Sequence, residues 1–445
     1  MKAFSSILIC FCVASTVLVS TIDVAAGSLI PRLSNSTNSV SSTGSSGSPR
    51  LHHKRFGYNG DIIRGVNLGG WLVLEPWIRP SLFLQFYNYP KEKQPVDEWS
   101  FCQTLGKEQC YVQLKHHWDE WFTPGDIGRL AMYGINHIRI PIGYWAFSPS
   151  EDEPFVQGQV EYLEKAIRMA KDVGINVIID LHGTPGSQNG FDNSGIRGGI
   201  HWQDKENNVQ RTLTALEELA KVANKYGDTV DIIEYVNEPA NWGLDMKGVV
   251  QFYNKAYATI REIMPNVDIM LHDSFLPLEQ WHDLRNPDWQ NTLMDTHIYH
   301  VFTKDTITLT RDQHIRKAQN DGESIAKFNP TLWTVAGEWS LATTDCTMWL
   351  NGHGKGARWD GSLVGEERMC APGEECSCTG NASSEYQSWT PDYWQFLKDF
   401  ARAQIEAYER GVGWIFWNFK TENSPQWDYT FCADHGIIPY FPKNK

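Results

Sequence analysis

The sequence has no surplus of positive charge to offer a polyphosphate. Its 445 residues carry 39 Lys and Arg against 53 Asp and Glu, a formal net charge of −14. Nothing beyond residue 55 supplies the basic face that phosphate binding needs, so nucleic acid is not expected as a partner. The apolar run at 7–19 is too short to span a bilayer. No Cys-x-x-Cys, His-Glu-x-x-His or Gly-x-Ser-x-Gly occurs, which sets aside zinc-finger, metallohydrolase and serine-hydrolase patterns. A Gly-rich phosphate loop directly after a strand is missing too. The nearest approach, Gly352, Gly354 and Ala357, lies in a long connection rather than opening a helix.

Apolar residues make up 41% of the chain, enough for a large core, and Trp 19, Tyr 17 and Phe 20 exceed what one core needs. Rings lying flat under a ligand are the usual second use of such a surplus. The N-terminus reads as export machinery. Lys2, the run at 7–19 and small residues around Ala25, Ala26 and Gly27 have the layout of a signal peptide over 1–27. Residues 28–55 are dominated by Ser, Thr, Asn and Gly, a composition expected to stay disordered, and end in a dibasic Lys54-Arg55 that resembles a processing site. Cleavage there would remove five basic residues and one acidic one and leave the mature chain at −18. Seven cysteines remain (Cys102, Cys110, Cys346, Cys370, Cys376, Cys378 and Cys432). In an oxidising compartment they should pair, and the odd number leaves at least one thiol over. Asn35 and Asn381 sit in glycosylation sequons.

From residue 56 to 445 one catalytic domain is expected. Short β-rich apolar runs recur at 62–68, 135–142, 176–181, 232–236, 268–272, 293–299, 334–339 and 413–419. Stretches of 3.6-residue periodicity lie between most of them, clearest at 160–173, 209–226, 249–264 and 393–410. Eight strand–helix units of this kind predict an α/β fold, a closed (β/α)8 TIM barrel, with an open doubly wound sheet as the alternative. A barrel demands that functional residues gather at the C-terminal ends of the strands. Those ends carry Asn67, Arg139, His182, Asn237 with Glu238, His272 with Asp273, His297 with Tyr299, Glu338 and Trp417. Separate structural roles would scatter such residues over both faces. Only Glu238 and Glu338 among them are glutamates preceded by apolar strand residues, and the fourth and seventh strands face each other across the mouth. Two opposed carboxyls suggest glycoside hydrolysis, one protonated to serve the leaving oxygen and one ionised to attack the anomeric carbon. A carboxylate touching Arg139 should be the more acidic of the two.

Several motifs follow in order: Arg64-Gly65-Val66-Asn67-Leu68-Gly69-Gly70-Trp71 running on to Glu75, Arg139-Ile140-Pro141-Ile142-Gly143, Leu181-His182-Gly183-Thr184-Pro185-Gly186, Asn237-Glu238-Pro239, His297-Ile298-Tyr299, Gly337-Glu338-Trp339 and Trp417-Asn418-Phe419. Together, over about 60–435, they resemble the fungal exo-β-1,3-glucanases of glycoside hydrolase family 5. The resemblance implies Glu238 as acid/base and Glu338 as a nucleophile that forms a covalent glucosyl-enzyme. It also implies Asn237 at the sugar 2-hydroxyl, Arg139 and Tyr299 orienting Glu338, and His182 and His297 in the floor of the first subsite. Glu75 and Asp192 would bind sugar hydroxyls, Phe191 and Phe302 would clamp the entrance, and Trp417 would underlie the terminal glucose. Core packing is the alternative reading of each ring. No metal or organic cofactor is implied, and the partner would be β-1,3-glucan or a gluco-oligosaccharide met by a secreted, monomeric enzyme of the medium or cell wall, off the membrane once the signal is removed.

Residues 341–390 depart from an ordinary barrel. This connection is far longer than usual βα loops and holds four of the mature cysteines. It is expected to wall the site, and so to bear on exo against endo action. A β-glucosidase of other linkage, including β-1,6-glucan, shares the same catalytic pair. A non-catalytic glucan-binding barrel would have no need of both glutamates.

Overall fold

The computed structural model describes residues 61–442. The expected signal peptide, the leader at 28–55, Lys54-Arg55 and Asn35 lie outside the described residues. Eight parallel strands close into a barrel in sequence order: β1 (Ile63–Asn67), β2 (His137–Gly143), β3 (Asn176–Gly183), β4 (Val230–Glu234), β5 (Asp268–His272), β6 (Thr292–Ile298), β7 (Trp333–Trp339) and β8 (Gly413–Phe416). Closure is made by β1 on β8, with Ile63 opposite Gly413 and Val66 opposite Phe416. The open-sheet alternative is thereby excluded.

Inward alternation fills the lower barrel with Ile63, Ile178, Ile232, Met270, Leu293, Val335 and Ile415, all fully buried. The other strand faces pack against the helices. Four helices match the expected periodic stretches: Gln159–Val173, Glu206–Asn224, Met246–Ile263 and Pro391–Tyr408. A fifth long helix, Arg311–Phe328, was less visible because its buried stripe is His314, Ala318, Gly322, Ile325 and Phe328. A side chain at Gly322 would meet the Ala407 backbone at 2.8 Å, so small residues here permit close helix contact rather than advertise an apolar face. Between β1 and β2, after the short helix Pro80–Leu84, stand three longer helices, Glu98–Leu105, Lys107–Trp121 and Pro124–Tyr133, the first two of these joined by Cys102–Cys110. No helix among the described residues is long and apolar enough to cross a membrane.

Two strands stop two or three residues short of expectation, and both differences matter for the site. β4 stops at Glu234 rather than 236. Beyond it Asn237 N–H bonds the Leu181 carbonyl at 3.0 Å, and Glu238 then turns out of the ladder at φ +48°. β8 stops at Phe416 rather than 419, because after Trp417 the Asn418 N–H goes to the Trp427 carbonyl at 2.7 Å instead of a strand.

The connection after β7 is pinned by Cys346–Cys378 and Cys370–Cys376, and Cys432 is the free, buried thiol. Its own small core is Trp359, Ala357 and Ala371 against Ile307. Buried Asp345 accepts the backbone N–H groups of Arg358 at 2.8 Å and Trp359 at 3.0 Å, which shapes the loop without regular structure. Arg197 Nη2, from the loop after β3, donates to the Asn351 carbonyl at 3.0 Å, so the long connection meets the rim.

Candidate active site

The chamber at the C-terminal end is built around Arg139 on β2, which is completely buried. Its Nε donates to Glu234 at 2.7 Å, Nη1 to Asn67 Oδ1 at 2.9 Å and to Glu338 Oε1 at 3.0 Å, and Nη2 to Asn237 Oδ1 at 2.8 Å. Asp180 lies 3.2 Å from Nη2. One guanidinium thus ties together β1, β2, β3, β4 and β7, and its five donors set the positions of Glu338 and Asn237.

Glu338 has a second donor, the Tyr299 hydroxyl at 2.7 Å from Oε2. Across from it, Glu238 Oε1 accepts His297 Nδ1 at 2.7 Å and Oε2 accepts Asn193 Nδ2 at 3.3 Å. His297 Nε2 is 3.2 Å from Asp295 Oδ2. With carboxylates on both ring nitrogens, His297 is held as an imidazolium, since each contact needs a proton. Burial alone opposes that charge, but Glu338 and Asp295 overcome it and raise its pKa well above the ordinary value. His297 Nδ1, the nitrogen bonded to Glu238, is also 3.4 Å from Glu338 Oε2. A single atom at 2.7 Å from one carboxyl oxygen and 3.4 Å from the other puts those oxygens within about 6 Å, so one imidazole serves both glutamates.

The acidities reverse the expectation drawn from Arg139. Burial raises both carboxyls. For Glu238 the hydrogen bond and charge of His297, with His272 and His182 behind it, more than offset burial and bring it down to about 2. For Glu338 burial and the charge of Glu238 outweigh the pull of His297 and Arg139, and it is raised. The closest cation to Glu238 is an imidazolium that no spacing rule in the sequence reveals.

Around this pair stand buried polar atoms without partners: Glu75 Oε1, His182 Nε2, Asp192 Oδ2 and Asn237 Nδ2. Each belongs to a side chain whose other polar atom is engaged. Glu75 Oε2 accepts Trp77 Nε1 at 3.0 Å, His182 Nδ1 is 2.5 Å from Asp180 Oδ2, Asp192 Oδ1 accepts the Asn193 N–H at 3.1 Å, and Asn237 Oδ1 is held by Arg139. An unpaired buried donor or acceptor costs about 1–3 kcal/mol. Four in one chamber describe a surface waiting for a polyhydroxylated ligand. Burial, then the charges of Asp192, Glu338 and Glu238, raises Glu75 well above the carboxylate range, and burial pushes Asp192 up to about 6.

Trp417 is 3% exposed and lies parallel to His182, ring centroids 5.6 Å apart. A side chain on Gly69 would meet it at 2.6 Å, so only glycine lets the indole lie there. Phe191 and Phe302 are 41% and 39% exposed at the rim. They are not ring neighbours among the described residues: Phe191 leans toward Trp242, and Phe302 on Tyr299 and Trp427. All twelve side chains named from the sequence therefore lie at this end of the barrel.

The sequence reading missed the supporting acids Asp180, Glu234 and Asp295, the positioning amide of Asn193 and the Trp427 wall. Period two was the available signal for two of them. Asp180 precedes His182, and Asp295 precedes His297, by two positions on one strand face. Asn193 and Trp427 lie in loops, where no period applies. Two groups, Glu238–His272–His297 and Glu234–Asp295–His297, have the spacing to hold a metal ion. Both include His297, whose two nitrogens are committed to carboxylates, leaving no lone pair for a cation.

Gly337 gives the site a stability test. A side chain there would fall 2.0 Å from Asp295 Oδ1, an atom already accepting the Gly337 N–H at 2.8 Å. Gly337→Ala is expected to cost about 2–4 kcal/mol in urea unfolding and to lower turnover as Asp295 and His297 shift. A variant with wild-type stability would mean that Asp295 is free to yield.

The chain is similar to known proteins. The family model for cellulase (glycosyl hydrolase family 5) matches residues 106–348. A glucan 1,3-beta-glucosidase of Blumeria graminis is 42% identical over 387 residues, covering 86% of this chain and 88% of that protein. A probable glucan 1,3-beta-glucosidase A of Aspergillus niger is 39% identical over 393 residues, covering 88% and 90%. Among solved structures, a rutinosidase from Aspergillus niger superposes with a TM-score of 0.68 at 20% identity over 86% of this chain and 99% of that one, a likeness of fold.

Proposed function

The chain belongs to glycosyl hydrolase family 5, and on that premise we propose that it is a secreted retaining exo-β-1,3-glucosidase that releases glucose from the non-reducing end of β-1,3-glucan. The observation that carries the reading is the pair Glu238 and Glu338, bridged by one imidazole nitrogen and ringed by unpartnered polar atoms. Relatives named for the same activity across most of their length support the choice of linkage.

In this reading Glu338 attacks the anomeric carbon. Arg139 and Tyr299 hold its two oxygens, fixing its direction and favouring its ionised form at the moment of attack. Glu238 delivers a proton to the departing oxygen. It sits one 2.7 Å hydrogen bond from the proton on His297 Nδ1, so the proton belongs to the pair and can pass to Glu238 when a neutral sugar fills the chamber. Glu238 then takes the proton of the water that releases glucose, and configuration is retained. The free N–H of Asn237 suits the 2-hydroxyl, and His182, Glu75 and Asp192 have unmet polar atoms for the rest of the ring. Trp417 underlies that sugar, and Phe191 and Phe302 clamp the next. The long connection after β7 is tied to the rim through Arg197, and in this reading it would close one end, as removal of single terminal units requires.

A proton NMR time course with a linear β-1,3-gluco-oligosaccharide tests this. β-Glucose is expected alone before mutarotation, with the chain shortening one unit at a time. α-Glucose released first would overturn retention, and early longer fragments would overturn exo action.

A further inference from the structure

The rim carries an aromatic strip in which two rings, Trp242 and Phe275, are not used by the catalytic reading. Trp242 follows the Asn237-Glu238-Pro239 turn and is 58% exposed, more than Phe191 at 41%. Its ring lies 6.2 Å from Phe191 on one side and 5.0 Å from the half-buried Phe275 on the other. So large an exposed apolar ring, in a row with two others, adds little to the core.

The backbone beneath the strip is strained. Ser274 and Phe275 are consecutive non-glycine residues at φ +56° and +60°, a conformation costing about 1 kcal/mol or more at each position. Tertiary bonds hold it there. The Phe275 N–H donates to Asp273 Oδ1 at 2.8 Å, Trp281 Nε1 to the Asp273 carbonyl at 2.9 Å, and Asn241 Nδ2 to the Ser274 carbonyl at 2.5 Å. The last bond fastens the strained turn to the residue beside Trp242. Ala240 N–H in turn donates to the Gln188 carbonyl at 3.0 Å, in the loop that carries Phe191. Loops after β3, β4 and β5 are thus laced so that three rings line up.

The strip is continuous with the site. Phe275 packs edge-on against His272 at 5.1 Å, and His272 against His297 at 4.3 Å, the residue bonded to Glu238. Exposure rises along the strip away from that acid, from buried His272 through half-buried Phe275 to Trp242. Its occupant should therefore enter from the leaving-group side. An uncharged pyranose offers an apolar face of C–H groups and needs no ion pair, and an indole braced by a second ring loses little freedom in meeting it.

We propose that Trp242, backed by Phe275 and flanked by Phe191, is the platform for the glucose two units beyond the scissile bond, and makes the enzyme favour glucans of three or more units over the disaccharide. This rests on the proposed cleavage of β-1,3-glucan. The experiment compares wild type, Trp242→Ala and Trp242→Phe on p-nitrophenyl β-glucoside and on the β-1,3-linked glucose disaccharide and trisaccharide. In Trp242→Ala the loss of kcat/KM on the trisaccharide is expected to exceed that on the disaccharide by about tenfold, chiefly through KM, with Trp242→Phe recovering most of it. Equal losses on all three substrates, or no extra loss on the trisaccharide, would overturn the platform while leaving the function standing. A wild-type protein that cleaves the aryl glucoside but neither oligosaccharide would overturn the functional reading, and this inference with it.

Discussion

Glu338→Gln is expected to lower kcat by at least about ten-thousandfold on every β-glucoside, with circular dichroism and melting temperature close to wild type. The amide has the shape of the carboxylate but cannot form the glycosyl bond. The fold should tolerate it. Arg139 keeps Glu234 and Asp180 as acidic partners, so removing the Glu338 charge does not strand the guanidinium. The Tyr299 hydroxyl can turn from donor to acceptor toward the new N–H. Turnover within a hundredfold of wild type would remove Glu338 from the nucleophile's role. Collapse of the melting temperature would make it a structural residue first.

Glu238→Ala should separate substrates by leaving group. On glucan, whose departing oxygen needs a proton, kcat/KM is expected to fall by about a thousandfold. On a dinitrophenyl β-glucoside, whose phenolate departs without one, formation of the glycosyl-enzyme should fall far less. Added azide should then restore turnover and yield β-glucosyl azide, because the small anion enters on the face that Glu238 vacates. An α-azide would exchange the roles of the two glutamates. Stability should change modestly. Alanine at φ +48° carries much the same backbone strain as glutamate, and His297 keeps Asp295 as a partner.

The reversal of acidities has a general cause. Proximity to Arg139 is a poor guide when one guanidinium serves four acidic side chains at once, Asp180, Glu234, Asp295 and Glu338. Glu338 receives a share of that charge, whereas Glu238 faces an imidazolium of its own. A buried cluster titrates as a unit, and the functional question is how few proton moves bring it to the reactive state. Here one move along an existing hydrogen bond suffices.

The barrel was legible because its signals are local. Strands such as Asp268–His272 were placed to the residue by their apolar run, and the helix Gln159–Val173 to within one residue by its 3.6-residue stripe. Residues ending those strands had to share one rim, so Glu238, Glu338, Arg139, Asn237, His182, His297 and Tyr299 could be gathered without coordinates. Phe191, Phe302, Glu75 and Asp192 came from motif resemblance, since loops have no period to read. Where β4 and β8 end, and which rings share the rim with Trp242, depended on single hydrogen bonds between separate segments of the chain.

By itself, then, the sequence determined the eight-unit barrel and the set of residues at its mouth, because strand alternation and helix periodicity act over a few residues. Only the tertiary structure decided the pairing of six of the seven described cysteines, with Cys432 left free, and the bridging of both glutamates by His297. It also decided the strained turn that presents Trp242 and Phe275. Apart from the short-range disulfides Cys102–Cys110 and Cys370–Cys376, each of these depends on distances of a few ångströms between strands and loops tens of residues apart, which barrel closure sets and no local pattern encodes.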